Sequence, residues 1–372
     1  MRWPAPILLT LSALVNGACQ CQPDKKLERQ LDSAFTAVFK SNEPGGAIFI
    51  RQGNTILYDK SFGLADMTTK EKFTNQTVSN LGSISKTFVA YAILLLQSQG
   101  NLSVEDSILK YFPEFKNKKI ASRIKIKNLL MHTSGLPDSR EVDKDSVFYL
   151  TANDAENFKP LTLTDTLEFE PGTKWNYSNP AYNGLALIIE KITKNKWQNF
   201  VIRNIFQPSG MTHSKITDGS YPDKGVAHGY ILENGKWREY DYGEYPTFDA
   251  AGNGGVWSSI EDLKKYVAAI KEYKFLNRKQ VDSSKQVLWS GPALNAKDTV
   301  SRSLVWFIRK NSPLKKDQEP YTMIEHSGDQ GGFMAHLIMI PEEELTIIWL
   351  TNNGRYITPG ILDALHHWGY LY

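Results

Sequence analysis

The chain has 372 residues, 41% of them hydrophobic and 22% charged, which is the composition of an ordinary globular protein with room for one large or two small domains. Its 43 basic and 40 acidic residues leave a formal charge of +3 with no basic block, which argues against nucleic acid as a partner. The two cysteines, Cys19 and Cys21, stand near the N-terminus, so the folded body has no disulfide framework, no thiol nucleophile and no cysteine–zinc site.

The first segment carries Arg2, an apolar run Ile7–Val15 and small residues ending at Ala18. This pattern predicts a signal peptide over 1–18 and an exported protein, periplasmic or secreted. The run is too short to span a bilayer, and no later segment reaches membrane length. A lipid anchor on Cys19 is the alternative; Asn16 stands where the bacterial lipoprotein box has an aliphatic residue, which ranks plain export first.

Residues 27–40 place Leu27, Leu31, Ala34, Phe35 and Val38 on one helical face. Two β-rich runs flank Gln52-Gly53-Asn54 and predict a hairpin. The segment "SISKTFVAYAILLLQSQG" predicts a helix from about Ser83 to Gln99, stopped by Gly100. Residues 100–270 are rich in helices and loops. One helix carries Leu185, Ile188, Ile189 and Ile192 in a stripe, and another opens on Ser258 and Glu261, spaced as a capping box. After about residue 300, "SLVWFIRK", "YTMIEHSG", "FMAHLIMI" and "LTIIWLTNN" read as strands. The pair 333–340 and 345–351, joined by Pro341–Glu344, predicts a second hairpin, and a last helix covers 358–368. The predicted fold is α/β of the α+β type: an antiparallel sheet from the N- and C-terminal segments around a helical insert.

Three short stretches could carry chemistry. Ser-x-x-Lys occurs four times, at Ser83/Lys86, Ser107/Lys110, Ser122/Lys125 and Ser312/Lys315. Only Ser83 sits where a loop runs into a strongly apolar helix. Backbone N–H groups at a helix start favour an alkoxide there, and Lys86 lies one turn on, where apolar surroundings favour its uncharged form. The plain alternative is a capping serine with a snorkelling lysine. Tyr177-Ser178-Asn179 offers a proton-carrying phenol and an orienting amide, or simply a turn. His326-Ser327-Gly328 ends an apolar strand whose edge could align an extended substrate, or is a strand running into a hairpin turn.

Taken in order, Ser83-Ile84-Ser85-Lys86, Tyr177-Ser178-Asn179 and His326-Ser327-Gly328 resemble the penicillin-recognising serine hydrolases, and most of all the class C β-lactamase and DD-peptidase branch. The flanking segments 129–137, 171–193 and 250–266 are similar to that branch too, so the resemblance covers about residue 28 to the C-terminus as one hydrolase domain, 28–372. Two features depart from its β-lactamases. His326 replaces the lysine of Lys-Thr-Gly with a mostly neutral imidazole, and a tyrosine heads the second motif. The chain also lacks Glu-x-x-Leu-Asn, which disfavours a class A mechanism.

The resemblance implies a Ser83 acyl-enzyme formed on an amide or ester, such as a D-amino-acid peptide, an ester or a β-lactam-like compound. Peptidase or esterase activity ranks above β-lactamase activity. Lys86 and Tyr177 would act together as base, since a lone lysine of pKa about 10.4 is a poor one. Asn179 would position Lys86 and the substrate amide, while His326, Ser327, Gly328 and Asp329 would line the substrate strand, with the N–H groups of Ser83 and Asp329 holding the oxyanion. No metal and no cofactor is implied, and the partner is a small-molecule or peptide substrate. The alternative from another class is a non-catalytic or slowly turning-over sensor of cell-wall peptides. No serine has glycine at both flanking second positions and no His-x-x-x-His pair occurs, so neither a nucleophile elbow nor a zinc hydrolase fits. Trp175, Tyr245 and Trp257 are candidate cleft aromatics, with packing as the plainer reading.

Overall fold

The structure, a computed structural model, describes residues 25–138, 152–216, 225–240, 251–311 and 320–371. The expected signal peptide, Cys19, Cys21, Tyr245 and the Ser312/Lys315 pair lie outside the described residues.

In chain order, α1 (Lys25–Val38) leads into β1 (Gly46–Gln52) and β2 (Thr55–Phe62). Next come β3 (Ser79–Asn80), a 3-10 turn over Gly82–Ile84, and α2 (Ser85–Ser98). The helical part holds α3 (Ile126–Leu130), α4 (Asp154–Thr162), α5 (Asn179–Thr193) and α6 (Trp197–Val201). It continues through β4 (Lys215–Ile216), the short α7 (Ala251–Gly254), β5 (Val256–Ser258) and α8 (Ile260–Lys271). The C-terminal strands are β6 (Trp289–Pro292), β7 (Thr299–Arg302), β8 (Phe307–Asn311), β9 (Tyr321–Gln330), β10 (Phe333–Ile340) and β11 (Leu345–Thr351), followed by α9 (Thr358–His367).

The main sheet is eight-stranded and antiparallel, in the order β2-β1-β11-β10-β9-β8-β7-β6. As expected, its strands come from the two ends of the chain. Strand β11 is buried on both faces and shows the strand period of two. Ile347 and Trp349 point to a layer with Leu31 and Phe35 of α1 and Ile361 and Leu365 of α9. Ile348 and Leu350 point to the larger core shared with the helical part. Helix α2 runs through that larger core with every residue from Ser85 to Leu96 buried, so its apolar character extends all round. No helix among the described residues is long and apolar enough to cross a membrane.

Local chemistry accounts for four differences from the sequence expectations. The buried stripe of α1 runs Leu27, Leu31, Phe35 and then Phe39 at four-residue spacing, which turns Ala34 out to solvent. Helix α2 begins at Ser85, because residues 82–84 form the tighter turn. The strand expected from Ser303 starts at Phe307, since Ser303 Oγ accepts hydrogen bonds from the Val305 and Trp306 N–H groups and closes a turn. The cap of α8 is Ser259, whose Oγ accepts from the Asp262 N–H at 3.3 Å; Ser258 is paired with Ser79 in the β5–β3 ladder.

Candidate active site

Ser83 is the middle residue of the 3-10 turn, and two glycines bring that turn against β9. Gly82 has φ +49°, and a methyl group added there would come within 2.7 Å of the Asp329 amide nitrogen. A methyl group on Gly328 would run into the Leu81 carbonyl and lie 3.0 Å from the Ser83 nitrogen. The turn is held from behind as well, by the Gly82 N–H donating to Asn80 Oδ1 at 2.6 Å and the Leu81 N–H to the Val256 carbonyl at 3.0 Å. Neither Ser83 nor any other side chain caps α2. That removes the capping role as the reason for a serine here.

Strand β9 reaches the site with one edge open. Its neighbour β8 pairs only from Tyr321 to Glu325, whereas β10 pairs from Ile324 to Gln330. The β9–β10 hairpin closes on the Gln330–Phe333 pair. Counting back by alternation, Ser327 and Asp329 turn their main-chain N–H and C=O groups away from β10, toward the open edge and Ser83.

Two proton-carrying groups converge on the serine. Lys86 is fully buried, and its Nζ donates to Ser83 Oγ at 3.0 Å and to the Asn253 carbonyl at 2.6 Å. The same Nζ stands 5.1 Å from the Tyr177 ring centre and 5.7 Å from that of Tyr182. Tyr177 Oη donates to Ser83 Oγ at 2.7 Å. Burial pushes the Tyr177 phenol well above its ordinary range, against the opposing pull of the Ser83 hydrogen bond and the Arg302 charge. Asn179 opens α5 two residues later and is partly exposed; no hydrogen bond from its side chain is found among the described residues.

The loop bearing Tyr177 is fixed by the buried His132. The Ser178 N–H donates to His132 Nδ1 at 3.1 Å, and the Asn176 N–H to the His132 carbonyl at 3.0 Å. The His132 and Tyr177 rings lie 4.4 Å apart. His326 is also buried, with Nδ1 2.8 Å from the Ser327 carbonyl oxygen. Burial, and then the nearby Arg302 charge, hold His326 well below the usual histidine range, so it is a neutral imidazole near pH 7. Arg302 itself is fully buried, its guanidinium carbon 3.8 Å from the Phe307 ring centre, with Nη2 donating to the Leu130 carbonyl at 3.5 Å. Ser327 and Asp329 are exposed and Gly328 is buried.

Of the aromatic candidates, Trp175 and Phe307 line a groove of about 850 Å³ together with Val300, Ser301 and Arg309, one ring away from His326. Trp257 is a packing residue, buried with its ring 5.4 Å from Phe333. Sequence reasoning missed Asn253, Arg302 and Asp154, whose partners are all remote in the chain. The segment 250–266, which holds Asn253, enters the sequence reading only as a stretch similar to the family branch, with no role for Asn253 itself.

The Beta-lactamase family pattern matches residues 25–368. The chain belongs to the Beta-lactamase family. Within it, the chain is similar to a penicillin-binding protein of Bacillus subtilis (strain 168), 28% identical over 357 residues, covering 91% of this chain and 75% of that one. It is also similar to protein flp of Staphylococcus aureus (strain NCTC 8325 / PS 47), 26% identical over 329 residues; there the match covers 88% of this chain but only 63% of the relative's length. Its fold is shared with D-amino acid amidase from Ochrobactrum anthropi SV3, with a TM-score of 0.74 at 20% identity, covering 92% of this chain and 98% of the amidase.

Proposed function

We propose that this Beta-lactamase family member is an exported serine hydrolase that forms an acyl-enzyme on Ser83 with an amide or ester substrate. One observation carries the reading: Tyr177 Oη and Lys86 Nζ both meet Ser83 Oγ, at 2.7 and 3.0 Å, beside the open edge of β9. A pair of coupled proton carriers can serve as base for attack and then as acid for the leaving group. Ser83 Oγ bonds to the carbonyl carbon and its proton passes to the Lys86–Tyr177 pair. The Ser83 and Asp329 N–H groups hold the oxyanion. The pair then returns the proton to the departing amine or alcohol, and water releases the acyl group.

The open edge from His326 to Gln330 suits an extended acyl donor bound by main-chain hydrogen bonds. The neutral His326 gives a substrate carboxylate no cation at that position, which favours amides and esters over β-lactams. Asn179, partly exposed at the start of α5, would meet the substrate amide. Residues from 28 onward would act as one domain after removal of residues 1–18. Rates on a nitrophenyl ester, a D-Ala-D-Ala peptide and a chromogenic cephalosporin test the reading. Turnover of the uncharged ester above the cephalosporin is expected, and the rate on the peptide, whose C-terminal carboxylate faces the same neutral His326, shows whether a carboxylate is tolerated there. No acylation by any of the three would overturn it.

A further inference from the structure

Lys86 is anchored by a main-chain carbonyl, and a buried carboxylate stands behind that anchor. Asn253, whose carbonyl accepts from Lys86 Nζ at 2.6 Å, donates from Nδ2 to Asn183 Oδ1 at 3.0 Å. Asn183 donates from Nδ2 to Asp154 Oδ1 at 2.5 Å. The N–H of Gly252, the residue before Asn253, donates to the same Oδ1 at 2.9 Å, and Trp197 Nε1 donates to Oδ2 at 3.0 Å. Asp154 therefore ties α4 to α5, α6 and α7 at one point. A methyl group on Gly252 would sit 3.0 Å from Asp154 Oδ1 and 2.8 Å from Ala186 Cβ, so the close approach of this turn requires glycine.

We propose that Asp154 is the positioning residue for Lys86: as a carboxylate it fixes the turn 251–254 so that the Asn253 carbonyl holds Lys86 Nζ against Ser83. This rests on the reading of Ser83 and Lys86 as nucleophile and base partner. All three groups hydrogen-bonded to Asp154 are donors, so a carboxyl O–H there would be a donor set among donors, and protonation would weaken contacts that now run to a full carboxylate charge. Burial pushes the Asp154 carboxyl up to about 6, with Asn183, the Gly252 N–H and Trp197 pulling it back down. The titratable groups around it are Glu190 of α5, itself 3.9 Å from Lys196, and Lys86 of α2 beyond Asn253. The anchor is therefore intact at neutral pH and weakened in mild acid.

The test compares wild type, Asp154→Asn and Trp197→Phe in the full chain. The rate of Ser83 acylation by a nitrophenyl ester is followed against pH, and the D154N crystal structure supplies a readout independent of activity. D154N is expected to slow acylation roughly tenfold to a hundredfold, the effect of a misplaced catalytic group, with KM within about twofold. In the D154N crystal the Asn253 carbonyl is expected to have turned away from Lys86 Nζ. W197F removes one donor to the carboxylate, so the acid limb of the wild-type profile is expected to move to higher pH. Unchanged acylation in folded D154N, an intact Lys86–Asn253 contact in its crystal, or an unmoved limb in W197F would each overturn the proposal. Should wild type not acylate at all, the serine reading fails, and the D154N crystal still decides the anchor.

Discussion

The phenol of Tyr177 and the hydroxyl of Ser83 stand 2.7 Å apart although 94 positions separate them in sequence. His132 holds the Tyr177 loop on one side, and the glycine-lined contact with β9 holds the Ser83 turn on the other. The short contact is thus set by two independently fixed segments. Tyr177→Phe removes the oxygen with little change in shape. It is expected to lower kcat/KM by about 10²- to 10⁴-fold, the usual worth of a general acid–base group. Steady-state rates on an ester substrate check this, with the thermal midpoint showing that the fold is retained.

Lys86→Met keeps the length and apolar stem of a fully buried side chain. A fully buried amine is costly to desolvate in either protonation state, so K86M should match or exceed wild type in thermal midpoint while losing most of its activity. A large fall in both would mean that Lys86 acts mainly as a structural tie.

His326 and His132 carry a pH signature. Burial first, and the Arg302 charge next, hold both well below the ordinary histidine value. The unfolded chain takes up these protons below about pH 6.5 while the folded chain does not, so stability falls as pH drops below that value. Each histidine adds up to about 1.4 kcal/mol of loss per pH unit there. His326→Gln removes one of the two. Its thermal midpoint should fall less than that of wild type between about pH 7 and pH 5.

Gly328→Ala puts a methyl group into the Leu81 carbonyl beside the Ser83 turn. The expected outcome is separation of β9 from Ser83, with activity down by roughly 10²-fold or more, as for other misplacements of this kind. A kinetic assay beside a far-ultraviolet spectrum tells this local effect from global unfolding.

Much of the frame was legible because it is local. Residues 333–340 and 345–351 alternate between two buried layers and are separated by Pro341–Glu344, so their bounds follow from pattern alone. The helix after Ser83 was equally plain, but its true start was not, because the 3-10 turn depends on contact with β9 some 240 positions away. The cap expected at Ser258 falls one residue later, on Ser259, because pairing with Ser79 takes Ser258 into a strand. Asp154 follows Asn153, which forms a capping box with Glu156, so in sequence it reads as one more acid in a first helical turn. Its partners at 183, 197 and 252 exist only once α5, α6 and α7 are packed together. Arg302 likewise looks like a surface cation at a strand end, and only the assembled core buries it.

The central claim, that Ser83 is acylated, is tested most directly by intact-mass and peptide mapping of wild type and Ser83→Ala after incubation with a fluorophosphonate probe. The expected result is one adduct in the wild type, mapped to the peptide containing Ser83, and none in S83A. A wild type that stays unmodified, or an S83A protein labelled to the same extent, would contradict it.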